Sequence, residues 1–216
     1  MKNTSNKRAG FTVLELMISV TVLSIVVSGV VMATRAGAGT FKTNMANGDV
    51  ETKGRRVIER LTRELASAKI TNPAPLFLIN GGADTLDFQM PTGFTGGAMT
   101  WGPTMRLALE LEDGELDNGV DDNNNGLIDE GRLVRITDPF GVSTRVVLAH
   151  GIPELLEGEE TAAGDDNGNG GEEEPGVWFV LDPDLRRLNV SISIQGVDAD
   201  GRLIVRTTET VIGLRN

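Results

Sequence analysis

Cysteine and tyrosine are both absent, histidine occurs once, and aromatic residues make up only 4% of the 216 residues. The missing cysteine excludes disulfides, thiolate metal sites, cysteine nucleophiles and an acylated-cysteine lipid anchor. The lone histidine, His150, sits between Ala149 and Gly151 at the end of a strand-like run and reads as a structural or exposed residue. No Gly-x-Ser-x-Gly, Gly-x-x-x-x-Gly-Lys or His-Glu-x-x-His motif occurs, so the common nucleophilic, phosphate-binding and zinc-protease designs lack their residues. No basic face interleaved with aromatics is present either, which removes the usual footprint of a nucleic-acid binder. The chain reads as a non-enzyme with no direct nucleic-acid partner.

Positive charge is missing from two particular windows. Residues 110–131 and 154–174 contain no Lys or Arg, yet each holds nine of the 31 acidic residues. Outside them the acids are outnumbered by the 20 Lys and Arg, so the net charge of -11 is a local property of two segments. Concentrated carboxylates of this kind call for cations more than for a general solubility explanation.

What is present in abundance is one apolar run. Residues 11–33 carry a single charge, Glu15, and at about 1.5 Å per residue a helix of that length spans a hydrocarbon core of roughly 30 Å. Lys2, Lys7 and Arg8 precede it, which places the first residues in the cytoplasm and the bulk of the chain outside. One reading is a secretory signal peptide with Ala36-Gly37-Ala38 as its cleavage site, although such apolar regions are usually shorter and uncharged. A second makes Thr12 and Glu15 a capping box, Thr-x-x-Glu, that satisfies the first amides of a helix. That accounts for the carboxylate locally but not for the Gly10–Phe11 junction.

A third reading rests on resemblance. Gly10-Phe11-Thr12-Val13-Leu14-Glu15, preceded by Lys7-Arg8 and followed by the apolar run, resembles the class III signal of type IV pilins and type II secretion pseudopilins. The resemblance implies that prepilin peptidase cuts after Gly10 and methylates the new amino terminus at Phe11. It also implies that Glu15 pairs with the amino terminus of a neighbouring subunit during assembly. Elementary energetics agrees, because a carboxylate in hydrocarbon requires a compensating cation. Within the family, the Arg-rich segment at 55–68 is similar to that of J-type minor pseudopilins and PilW-like minor pilins. The implied partners are prepilin peptidase, other pilin or pseudopilin subunits, and the inner-membrane assembly platform. The implied location is a single pass in a bacterial inner membrane, with the C-terminal domain in the periplasm, followed by a pilus or pseudopilus fibre.

Past the apolar run, Gly37 and Gly39 predict a bend or melted turn, since a helical glycine costs about 1 kcal/mol relative to alanine. From residue 41 to 70 the pattern is amphipathic, with Val57, Ile58, Leu61, Leu65 and Ala68 on one face. Glu51/Arg55, Glu59/Arg63 and Arg60/Glu64 are spaced as exposed i,i+4 pairs. Strands are predicted at 76–80, 85–90, 105–111, 132–137, 142–149, 177–181, 188–197 and 202–214. In the seventh, alternation puts Leu188, Val190, Ile192 and Ile194 on one face, and Asp198-x-Asp200-Gly201 reads as the following hairpin turn. No repeat of architectural length is visible. The expected fold is α+β and pilin-like: a long N-terminal helix, apolar then amphipathic, packed on an antiparallel sheet with inserted acidic loops. The expected divisions are a leader at 1–10, a membrane and fibre-core helix at 11–34, an amphipathic helix at 35–72 and a β-rich domain at 73–216.

The acidic windows carry a cation pattern. Asp121, Asn123 and Asn125 occupy loop positions 1, 3 and 5, Gly126 position 6, and Asp129 and Glu130 positions 9 and 10. Calcium takes about 6–8 oxygen ligands, and this alternation converges several of them while the glycine allows a sharp bend. The pattern departs from an EF-hand at position 12, where Arg132 stands, and Asp117 could reach in. The second window repeats the phase with Asp165, Asn167, Asn169 and Gly170, then Glu173 and Glu174. The first is expected to bind Ca2+; the second carries the same pattern as a weaker signal, and for each the alternative is a solvated Asn/Asp-rich turn or acidic run. A rival to the fibre subunit is therefore a membrane-anchored or secreted calcium-binding adhesin or receptor domain that never polymerises.

Overall fold

The computed structural model describes residues 11–71, 82–161, 164–168, 171–182, 186–198 and 200–214. Gly10, the strand expected at 76–80 and Asn169 lie outside these residues. The chain divides into two compact units, Met1–Thr43 and Asn44–Asn216.

One helix, α1, runs from Val13 to Leu65. It passes through Gly37 and Gly39 without interruption, where a melted turn was expected. Two glycines cost about 1 kcal/mol each, less than the backbone hydrogen bonds that would be surrendered by reopening a helix already nucleated on both sides. The helix stops at Leu65, short of the predicted residue 70, because Lys69 and Ile70 form strand β1 and pair with Gln89 and Phe88.

In the second unit the expected apolar face is buried: Leu61 and Leu65 are fully enclosed, and Val57, Ile58 and Ala68 nearly so. Each such side chain contributes about 1.5–3 kcal/mol relative to exposure. They pack in one core with residues from two antiparallel sheets, where the sequence suggested one. The first sheet has five strands in sequential order: β1 (Lys69–Ile70), β2 (Thr85–Thr95), β3 (Ala98–Leu111), β4 (Gly131–Thr137) and β5 (Thr144–Ile152). The second has three: β6 (Val177–Asp182), β7 (Arg187–Val197) and β8 (Leu203–Gly213). A two-way bridge between Ala83 and Phe179 joins the region before β2 to β6. On β7, Leu188, Val190, Ile192 and Ile194 are all buried, as alternation requires.

The hairpin β2–β3 is longer than the sequence implied. Gly96 and Gly97 both have positive φ, 61° and 83°, and close a two-residue turn whose twist matches the strands. Pro91 and Pro103 hid this extension. Both lie where the ribbon overhangs its outer neighbours, since β1 pairs only up to Gln89 and β4 only from Met105, so neither proline interrupts pairing with a third strand. Register shifts flank Pro91. At the β7–β8 turn, Asp198 Oδ1 accepts from the amides of Asp200 and Arg202, at 2.8 and 2.9 Å, which is turn chemistry as expected.

Candidate functional site

The apolar half of α1 begins with a cap. Thr12 Oγ1 accepts a hydrogen bond from the Glu15 amide at 3.2 Å, so half of the expected capping box is present. Every side-chain hydroxyl between Ser19 and Thr34 is satisfied within the helix. Ser19, Thr21, Ser24, Ser28 and Thr34 each donate to the carbonyl four residues back, all at 2.8 Å. That arrangement leaves the helix surface apolar, as a hydrocarbon environment demands. The helix is long and apolar enough to cross a membrane. Phe11, Leu14, Met17 and Leu23 are exposed, as are the other large apolar residues of this stretch. One polar group remains: the Glu15 carboxylate has no hydrogen bond or ion pair to any described residue.

The two acidic windows become two loops, one joining β3 to β4 and one joining β5 to β6. In the first, the Glu112 amide donates to the Glu130 carbonyl at 2.9 Å and closes the neck. Asp121 accepts from the backbone amides of Asn125 and Gly126 at 3.1 and 2.8 Å, the bend that the Asp-x-Asn-x-Asn-Gly spacing predicts. Asp129 turns away from this bend and accepts from the amides of Asn118 and Gly119. Asn123 and Asn125 both donate their carboxamide N–H to Glu130 Oε1. The structure thus brings Asn123, Asn125 and Glu130 together, while Asp121 and Asp129 hold the loop's own backbone. Among the described residues, no three Asp, Glu or His side chains form a metal-binding cluster.

Sequence reasoning missed Glu115. It is buried, 6% exposed, and its Oε1 accepts from the Asn123 amide at 2.9 Å. The second loop repeats this construction 44 residues on. Asn167 donates its amide to Glu159 Oε1 at 3.2 Å and its carboxamide to Glu174 Oε2 at 3.1 Å. Its neck is closed by the Leu156 amide on the Glu174 carbonyl at 2.8 Å. Backbone conformation repeats as well: φ is 92° and 91° at Gly114 and Gly158, 63° and 75° at Asn124 and Gly168, 48° and 49° at Asp129 and Glu173. A left-handed residue without a glycine is uncommon, so the matched Asp129 and Glu173 mark one backbone path used twice. The signal was available as Gly-Glu, then Asp-Asp-Asn, then Glu, at identical spacing in the two windows.

Beside the first loop, Arg132 lies 2.6 Å from Asp113 and close to Glu110 and Glu112. Its hydrogen bond holds the Asp113 carboxyl below the usual aspartate value. His150 Nδ1 lies 2.8 Å from Glu112 Oε2 on the exposed face of β5.

Residues 5–31 match the model of the prokaryotic N-terminal methylation motif. No curated protein and no solved structure matches the chain. The match identifies a prepilin-type processing signal, and it overlaps the start of α1, which among the described residues is the one helix long and apolar enough to anchor the chain in a membrane.

Proposed function

We propose that this chain is a minor structural subunit of a type IV pilus or a type II secretion pseudopilus, resembling J-type pseudopilins or PilW-like minor pilins. Prepilin peptidase cuts it after Gly10 and methylates Phe11. The inner-membrane platform then draws it into a fibre, where α1 packs against the helices of sister subunits and the β-rich unit faces the periplasm.

The observation that carries this reading is Glu15. It is the single carboxylate in residues 11–33, and it has no described partner in a helix whose hydroxyls are otherwise self-satisfied. A charge in hydrocarbon costs on the order of 3 kcal/mol on insertion scales, so an anchor that served only as an anchor would gain by losing it. The new amino group of a neighbouring subunit supplies the missing cation. In the fibre the two charges neutralise each other and set the axial stagger between helices.

The test is intact and peptide mass spectrometry of the chain from native membranes. A mature amino terminus at N-methylated Phe11 supports the reading. A start after Ala38, or an uncut leader, overturns it.

A further inference from the structure

The geometry points to a calcium site inside the 112–130 loop, with Glu115 and Glu130 as its carboxylate ligands. The site does not depend on fibre assembly.

The argument starts from two oxygens. Glu130 is fully buried and Glu115 is 6% exposed, and in each the Oε2 atom has no hydrogen-bond partner. Both carboxylates are anchored to one residue, Asn123: its amide donates to Glu115 Oε1 and its carboxamide to Glu130 Oε1, each at 2.9 Å. The unpartnered oxygens therefore belong to two side chains held by the same residue. A buried carboxylate oxygen without a partner costs the full desolvation of a charged group, and two on one residue repel as well. Elsewhere this chain solves the same problem with a cation. Asp87, 4% exposed, is gripped by Arg106 through two bonds of 2.6 and 2.8 Å. Glu115 and Glu130 have no such guanidinium, because the window contains no Lys or Arg and Arg132 is engaged by Glu110, Glu112 and Asp113.

A metal ion is the cation that fits. The inward groups are carboxylates and carboxamides, with neither imidazole nor thiolate among them, which selects a hard ion. The carboxamide oxygens of Asn123 and Asn125 accept from the Asn125 and Leu127 amides, at 3.0 and 2.8 Å, so the oxygens left for the ion are the Oε2 atoms of Glu115 and Glu130. Magnesium retains several waters and demands a near-ideal octahedron; a buried site of flexible protein oxygens suits calcium. Internal comparison supports the assignment independently. The second loop keeps Glu159 where the first has Glu115, Asn167 where it has Asn123 and Glu174 where it has Glu130, and Glu159 Oε2 is again buried without a partner. Residues that differ between the loops, such as Leu116 and Glu160 or Val120 and Gly164, take no part in these contacts.

Binding there would be felt beyond the loop. Gly126 lies against Val197 at the end of β7, and Leu127 lies against Gly151 of β5, so ordering the loop ties the two sheets together.

The experiment uses the full chain in detergent, titrated with CaCl2 up to about 10 mM, the range of weak extracellular calcium modules. Expected are saturable binding, a rise in thermal midpoint over the chelated protein, and slower amide exchange in peptides covering 112–130. Glu115→Gln and Glu130→Gln, which keep shape but remove charge, should each weaken calcium binding at least roughly tenfold. Asp122→Asn removes the same charge from an exposed position and should leave affinity unchanged. If either Gln variant fails to fold, amide exchange of the unaltered chain with calcium and with chelator decides. Wild-type affinity in both Gln variants, exchange at 112–130 indifferent to calcium, or magnesium binding as tightly as calcium overturns the proposal.

Discussion

Arg135 on β4 donates from Nη1 to both carboxylate oxygens of Glu64 on α1, each at 2.9 Å, across 71 positions of sequence. Arg60 approaches the same carboxylate from within the helix at 3.4 Å. Glu64 and Arg135 are both mostly buried, at 22% and 24% side-chain exposure, so solvent screens the pair only in part. Removing Glu64 leaves a half-buried guanidinium whose Nε already lacks a partner. Glu64→Ala should therefore cost about 1–3 kcal/mol, and a double-mutant cycle with Arg135→Ala should give a coupling of at least about 0.5 kcal/mol. Thermal unfolding of the full chain in detergent measures both; additive losses would mean that the pair contributes nothing.

Gly54 and Gly48 lie in the same helix with opposite surroundings. A Cβ on Gly54 would meet Thr208 Oγ1 at 2.7 Å, whereas one on Gly48 meets nothing within 4 Å. Gly54→Leu should destabilise by about 2 kcal/mol or more, because α1 can no longer approach β8. Gly48→Leu should stabilise by about 0.5–1 kcal/mol through helix propensity alone. The two midpoints should move in opposite directions.

Glu15→Leu should leave membrane insertion intact and reduce incorporation into fibres roughly tenfold or more, since the partner amine would be left uncompensated. Carbonate extraction reads the first property and cross-linking to sister subunits the second. Equal incorporation of the variant would remove the role given to Glu15.

Asp113 responds to acid in a defined direction. Its carboxyl is held below the usual aspartate value, chiefly by the hydrogen bond from Arg132 and then by that residue's charge. A carboxyl with a depressed folded pKa stabilises the fold above its unfolded pKa and loses that contribution as pH falls through the folded one. Asp113→Asn should thus lower the midpoint modestly at about pH 6, and the difference should disappear once the pH falls below the folded-state value. The difference should shrink in high salt, because the aspartate is exposed.

Much of this protein is a matter of local pattern. The apolar span with its Gly10–Phe11 junction and Glu15 is contiguous, and a motif of that kind needs no partner elsewhere in the chain to be read. The buried face of α1 and the alternation of β7 follow from side-chain period, which is set by the backbone within a few residues. The bend at Asp121, Asn125 and Gly126 is likewise local, since an aspartate reaching amides four and five residues ahead is a property of the turn.

Other features required the folded chain. Periodicity gives a strand its faces but not its neighbours, so the separation into five-stranded and three-stranded sheets, and the overhang that accommodates Pro91 and Pro103, waited on pairing between distant segments. The pairing of Glu64 with Arg135 belongs to the same class. Within the loops, sequence spacing singled out Asp121 and Asp129 beside Asn123, Asn125 and Glu130, yet the fold assigns those two aspartates to backbone amides and brings in Glu115. Spacing states which side chains can meet; burial decides which are left without water and must find another partner.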